Sequence, residues 1–226
     1  MKHFFTTLTA ILLLSSCAPS AMLINKDVLP NHITNLGSHE TISIIGFVEQ
    51  GNKISPNDSL SKISTKLLDS IITSADNPRI EKSFLVEDNQ KDTLQADILK
   101  VFNQITKSKK IENVKTTPLM NSVVKENNKR YGLCVINSGF DRRKGNYGGQ
   151  IAKGIGMGIL TLGMYTQTPI KANTSLFAMI YDAEEGKVVF FNRTPPVEKS
   201  PTNRENLGAL YNKLFDGYFY TTKKKK

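Results

Sequence analysis

The chain has 226 residues, 30 lysines and arginines against 20 acids for a formal net charge of +10, 39% hydrophobic residues and two cysteines. Its apolar fraction excludes a disordered polymer, its length suffices for one domain with a real core, and two cysteines exclude a disulfide-framed miniprotein. The positive balance suits anionic partners, but the basic residues are not interleaved with aromatics, so nucleic acid is not an expected partner.

The chain opens with Lys2, an apolar run from Phe4 to Leu14, and the small residues Ser15 and Ser16 before Cys17. A charged start, an apolar run and small residues before a cleavage point form a secretory signal, here residues 1–16. The run is about half of the roughly 20 residues that a membrane-spanning helix needs. The tetrad Leu14-Ser15-Ser16-Cys17 resembles the bacterial lipobox. That resemblance implies lipidation of Cys17, with a diacylglyceryl thioether on its sulfur and an acylated amine, hence membrane attachment through several acyl chains.

Residues 17–38 read as the lipidated cysteine and a flexible tether, because Pro19, Pro30, Asn31, Asn35 and Gly37 interrupt any amphipathic period. A single α/β domain is expected over residues 39–220. Its first strand is 41–48, with Ile42, Ile44, Ile45, Phe47 and Val48 among Thr and Ser. Ser55 as cap and Pro56 in the first turn open a helix with an apolar stripe of Leu60, Ile63, Leu67, Leu68, Ile71 and Ile72. Asn77-Pro78 stops it. A second helix spans about 88–107, with Leu94, Ile98, Val101, Phe102 and Ile105 on one side. Residues 112–116 suggest a brief strand. Thr117 caps a short third helix that starts at Pro118.

From Tyr131 the pattern turns to β. Residues 131–140 form one strand, and 174–182 with 187–193 form a hairpin whose Gly186 suits a positive φ. These strands are apolar on both faces, which calls for a covered sheet. Thr202 and Glu205 match a capping box for a last amphipathic helix carrying Leu207, Leu210, Tyr211, Leu214, Phe215 and Tyr218. Residues 221–226, ending in Lys223–Lys226, form a basic tail expected to be disordered. The order predicts an α/β (α+β) fold: a mixed sheet of about four to five strands covered by helices.

A glycine-rich segment separates strands that a short turn would otherwise join. Its basic entrance makes Arg142, Arg143, Lys144, Asn146, Tyr147, Gly148, Gly149 and Gln150 a candidate contact loop. The following residues 151–165 are apolar and carry Gly154, Gly158 and Gly163. The spacing fits neither a P-loop nor a dinucleotide fingerprint. Two readings remain: a small-residue crossover packed on the protein's own sheet, or a membrane-seeking or self-associating segment using the Gly154/Gly158 spacing.

Catalytic and metal-binding patterns do not emerge. His3 leaves with the signal, while His32 and His39 lie in or beside the tether, so no histidine is expected inside the fold as a base or a metal ligand. Ser138 lacks the nucleophile-elbow context. No cofactor, metal site or catalytic residue is expected. Cys134 lies in an apolar strand and reads as a small buried hydrophobe. Asp58-Ser59-Leu60, Asp69-Ser70-Ile71 and Asp92-Thr93-Leu94 resemble a periplasmic O-glycosylation signal, or are helix-start chemistry.

The lipobox, the tether and the strand–helix order, with residues 41–48, 131–140 and the 177–190 hairpin carrying Asp182 and Gly186, resemble a broad group of Gram-negative lipoproteins. That group includes peptidoglycan-synthase activators and curli-type secretion lipoproteins. The stretch from Arg143 to Gln150 is similar to one in uncharacterised envelope lipoproteins. The resemblance implies a non-catalytic, membrane-anchored interaction or scaffold module, with an envelope protein, an anionic glycan or a lipid as partner. The alternative is an oligomeric lipoprotein that inserts residues 151–165 into the membrane. Ala18 after Cys17 lacks the Asp that resembles an inner-membrane retention signal, which favours the outer membrane facing the periplasm.

Overall fold

A computed structural model describes residues 22–49, 53–143 and 171–220. The described chain runs β1 (Leu23–Ile24), a 3-10 turn (Pro30–His32), β2 (Leu36–Ser38), β3 (Ile42–Val48), β4 (Ile54–Pro56), α1 (Asp58–Ser74), β5 (Lys82–Ser83), α2 (Asp88–Ser108), α3 (Pro118–Glu126), β6 (Tyr131–Arg142), β7 (Ala172–Asp182), β8 (Lys187–Arg193) and α4 (Arg204–Phe215). This is a mixed α/β fold on one open sheet. The long strands β3, β6, β7 and β8 are those the sequence marks, and four strands of two or three residues extend them.

The sheet order is β1-β8-β7-β6-β2-β5, with β3 also beside β6 and β4 outside β3. β6 and β7 pair antiparallel from Tyr131/Asp182 to Asp141/Ala172 and form the centre. Their central residues are buried on both faces, which is why they show no polar alternation. On one face Leu133, Val135, Ala178 and Ile180 meet α1 and α4. On the other, Cys134, Ile136, Phe177 and Met179 meet α2 and α3.

The helices follow their local chemistry with three adjustments. α2 and α3 fall where periodicity and capping put them; the Thr117 hydroxyl accepts from Met120 N–H, with Pro118 in the first turn. α1 starts later than Ser55: Ile54–Pro56 pairs with β3, and Asn57 caps the helix by accepting from Leu60 N–H at 2.9 Å. Pro56 fits because β4 is an edge strand, where a missing N–H costs nothing. The buried stripe of α1 is Ser64, Leu68 and Ile72, whereas Ile63 is 48% exposed. Likewise α4 is capped by Asn203, which accepts from Asn206 N–H at 2.7 Å, while Thr202 pairs with the Ser200 hydroxyl. Of the brief strand expected at 112–116, a single bridge remains, Lys115 to Lys187.

The larger correction concerns the flexible tether expected through residue 38. Leu23 and Ile24 pair with Phe191 and Phe190, and Leu36–Ser38 lies parallel to Tyr131–Leu133. Ile33 and Leu36 are buried. The residues that interrupt the period are turns inside the fold, with Pro30 opening the 3-10 turn and Asn35 at φ 57°. Scattered apolar side chains, divided between the two faces of the sheet, hold this segment without any local periodicity.

A candidate cleft at a split sheet edge

One flank of β6 is covered by two strands in line. β2 takes Tyr131–Leu133 and β3 takes Ile136–Arg142. The break between them is His39-Glu40-Thr41. Farther out, β5 continues from β2 and β4 from β3, so among the described residues no strand covers the middle of the edge. Side chains of α1 occupy that position. Asp69 Oδ1 accepts from Thr41 N–H at 2.9 Å, the Thr65 hydroxyl donates to Thr41 C=O at 3.2 Å, and Ser61 Oγ accepts from Ile45 N–H at 3.1 Å. Ser61, Thr65 and Asp69 stand four residues apart on one helix face. A helix that answers strand groups with short polar side chains blunts an edge that would otherwise template pairing. The serine in the buried stripe has the same logic: Ser64 Oγ accepts from Asn137 Nδ2 at 2.7 Å and from the Ser43 hydroxyl at 3.2 Å.

Between α1, β5 and α2 lies a cleft of about 750 Å³. Its floor is His39 to Ser43. Lys62, Lys66 and Asp69 line the α1 side, Lys91, Leu94 and Gln95 the α2 side, and Ser83 to Val86 form a lip. The opening exists because α1 and α2 lie on opposite faces of the sheet, so the chain parts at its edge. Crevices where chain segments diverge to opposite faces are where open α/β sheets bind ligands. Leu85 stands on the lip, 76% exposed.

His39, expected at the junction of tether and domain, sits in the floor of the cleft, 4% exposed. Its backbone N–H donates to Leu133 C=O at 2.9 Å. Its Nε2 lies 2.7 Å from the Tyr181 hydroxyl, which itself donates to Met120 C=O at 2.9 Å. The tyrosine proton is thereby committed, so the pair requires Nε2–H as donor and leaves Nδ1 as a bare acceptor. Among the described residues Nδ1 has no partner. The imidazole lies between two rings, Phe84 edge-on with centroids 4.7 Å apart and Tyr181 nearly parallel at 5.9 Å. Burial pushes its pKa down to about 3, so it is neutral at ordinary pH. Asp69, which lines the same cleft, has its carboxyl pushed up by burial, partly opposed by the hydrogen bond from Thr41 N–H.

The rings around His39 rest on two glycines. Gly37 and Gly132 are register partners in β2 and β6. A Cβ on Gly132 would come within 2.7 Å of the Tyr181 ring, and one on Gly37 within 2.2 Å of Phe84. Isolated glycines in strand patterns are the sequence signal for such close approach, and here they were the available clue to the histidine. Gly132→Ala is expected to destabilise the domain by about 2–3 kcal/mol, because Tyr181 is held at both ends. Gly208→Ala, where an added Cβ meets nothing within 4 Å in α4, is expected to stabilise by up to about 1 kcal/mol. Urea midpoints of the two variants check the contrast.

The residues singled out by sequence fall elsewhere. Cys17, Lys144, Asn146, Tyr147, Gly148, Gly149, Gln150, Gly154, Gly158 and Gly163 lie outside the described residues. Arg142 ends β6, and Arg143 N–H donates to Val48 C=O at 3.0 Å while its guanidinium lies 3.7 Å from Glu49. The basic loop therefore leaves at the far end of β3, away from the break at His39. Cys134 is 1% exposed with its thiol pKa raised well above ordinary by burial, in keeping with a core side chain. Ser59, Ser70 and Thr93 of the glycosylation-like triplets are exposed on helices, and Ser70 Oγ accepts from Arg204. Among the described residues no three His, Cys, Asp or Glu side chains gather as a metal site, and no helix is long and apolar enough to cross a membrane.

No protein-family model matches the chain, and no curated protein does. A solved structure of a PelC dodecamer from Paraburkholderia phytofirmans, a point variant of that protein, aligns over 83% of this chain and 93% of that one, at 7% identity and a TM-score of 0.36. A likeness that distant has no bearing on function.

Proposed function

We propose that this protein is a lipid-anchored envelope protein whose α/β domain is a non-catalytic interaction module, held at the periplasmic face of the outer membrane. The observation that carries this reading is Cys17 at the end of Leu14-Ser15-Ser16, directly behind the apolar run. The fold is compatible with it: β1 begins at Leu23, six residues after Cys17 in sequence, so an acylated Cys17 would keep the sheet close to the bilayer. Confinement of this kind raises the effective concentration of the domain near its partner without any added contact. The partner class is an envelope protein, an anionic glycan or a lipid.

The cleft is the surface we assign to that partner. Ammonium groups, carboxyls and hydroxyls line it together with the apolar Ile42, Phe84, Leu94 and Ile98, a mixture suited to selecting a ligand by hydrogen bonding and shape. His39 acts there as a pin. An imidazole with a pKa of about 3 and its Nε2 committed to Tyr181 is poorly matched to general base work near neutrality.

Expression in a Gram-negative host with an alkyne fatty acid tests the anchor. The wild-type chain is expected to take up the label and to sediment with membranes. Cys17→Ser is expected to lose the label and to move to the soluble fraction. A wild-type chain without label removes the reading.

A further inference from the structure

We propose that the cleft between α1, β5 and α2 is a glycan site, in which one sugar hydroxyl donates to Nδ1 of His39 and a neighbouring sugar oxygen meets the Thr41 hydroxyl. This deepens the reading of the cleft as the partner surface and rests on it.

The floor of the cleft carries an unmet demand. His39 and Thr41 both line it, and each is 4% exposed. Among the described residues His39 Nδ1 and Thr41 Oγ1 have no hydrogen-bond partner. The remaining polar atoms nearby are committed: His39 Nε2 to Tyr181, Thr41 N–H to Asp69 and Thr41 C=O to Thr65. A buried polar atom left unpaired costs about 1–3 kcal/mol, so two of them in one cleft call for a ligand that pairs both. With Nε2–H as the donor to Tyr181, Nδ1 can only accept. Its partner must be an O–H or N–H group, which a carboxylate or a fully ionised phosphate cannot supply. Hydroxyl groups on adjacent sugar carbons bring a donor and an acceptor together.

Charge points the same way. Lys62, Lys66 and Lys91 stand against Glu40, Asp58 and Asp69 around the opening, and Lys91 is itself paired with Asp88 at 2.7 Å. Equal numbers of cations and acids produce no field that concentrates an anion, so the lining does not select an anionic headgroup. A sugar chain uses ammonium groups as donors and carboxylates as acceptors at once.

Strand addition by a peptide is blocked. It would need the outward main-chain groups of the edge, and these are taken: Asp69 and Thr65 hold Thr41, while Ser61 and the Asn57 N–H hold the N–H and C=O of Ile45. Leu85, exposed on the lip, offers apolar contact to the C–H face of a sugar ring. The volume of about 750 Å³ suits a short run of sugar units. The lip over the floor is held by the Asn127 side chain, which accepts from Leu85 N–H at 3.0 Å and donates to Leu85 C=O at 3.1 Å. Because β5 is only two residues long, a small shift of this lip admits a ligand to Nδ1.

The test uses the full chain in a sugar-free detergent. It is titrated calorimetrically with cellotetraose and with chitotetraose, and with inorganic phosphate and an alternating Glu-Val hexapeptide as anion and strand controls. At least one sugar is expected to bind, with little change between low and high salt, and neither control is. Thr41→Val removes the unpaired hydroxyl and keeps the shape. Its urea midpoint is expected to equal or exceed that of the wild type, while sugar binding weakens about tenfold. In ¹⁵N spectra the His39 Nδ1 resonance is expected to move upfield from the position of a bare acceptor as sugar is added, while that of the exposed His32 stays. Binding of neither sugar overturns the proposal. Peptide or phosphate binding that moves Nδ1 overturns the glycan assignment and leaves the cleft as the partner surface. Sugar binding that leaves both Nδ1 and the Thr41→Val affinity unaffected puts the ligand elsewhere and removes the cleft from both readings. The fatty-acid label on Cys17 reports on the anchor separately from all of these.

Discussion

Replacing Asp182 by alanine is expected to lower the melting temperature of the domain by about 5 °C, through a loss of about 2 kcal/mol. The Asp182 side chain is 2% exposed at the end of β7, yet every approach to it is occupied by a donor. Oδ2 accepts from Arg130 Nε at 2.9 Å and Nη2 at 2.7 Å. Oδ1 accepts from the backbone N–H groups of Glu184 at 2.9 Å and Glu185 at 3.3 Å, which shapes the turn into β8. Alanine would leave two turn N–H groups to water and release the guanidinium that ties the entry of β6 to the hairpin. Because β6, β7 and β8 form the centre of the sheet, the loss should appear as a shift of the whole cooperative transition. A urea midpoint that falls with an unchanged slope is the expected signature. Arg130→Ala is expected to cost less, since the carboxylate keeps its backbone donors and gains water. A larger loss for arginine than for aspartate would contradict this assignment.

The second large effect is acid sensitivity centred on His39. The folded-state pKa of about 3 lies below the ordinary 6.5 that the unfolded chain shows. Between those values the unfolded state binds a proton that the folded state does not, so stability rises with pH and is lost on acidification. The window opens as pH falls through about 6.5 and closes near 3, with a slope of about 1.4 kcal/mol per unit. Acidifying from pH 7 to pH 4.5 is therefore expected to remove about 2–3 kcal/mol through this residue. Asp69, whose carboxyl is pushed up, works in the opposite direction at the acid end of the range and does so with or without the histidine. His39→Gln retains an N–H for the Tyr181 hydroxyl and cannot take up the proton. Its urea stability is expected to be lower than wild type at pH 7 and much flatter down to pH 4.5. Parallel pH profiles for the two proteins would sink this account.

The parts of the fold that were legible in sequence are those stabilised by residues close together in the chain. Thr117-Pro118 announces α3 because a cap and a first-turn proline act within one turn. α2 is legible because one apolar stripe recurs over its whole length. Gly186 marks the hairpin because its φ of +64° favours a residue without Cβ. The segment 22–38 was illegible for the opposite reason. Leu23 packs, partly buried, against the cluster on the α2 face, whereas Ile33 and Leu36 are buried in the cluster on the α1 and α4 face, so nothing periodic connects the three. β4 was missed because Ser55 and Pro56 are good helix-start residues, and the choice between helix start and edge strand was made by β3 alongside.

The candidate site divides in the same way. Cys17 is read entirely from its neighbours in sequence, since an export signal is a local pattern. His39 owes its position to Tyr181, 142 residues away, and to glycines in two other strands that make room for the surrounding rings. The order of residues alone determined the helices with strong caps and the hydrophobic strands that demand cover on both faces. Only the tertiary structure decided that the early chain from Leu23 belongs to the sheet and that a histidine is buried neutral at its broken edge. The physical reason is that each of these depends on groups brought together by strand pairing, whose energies are set by burial and hydrogen bonding in the assembled sheet.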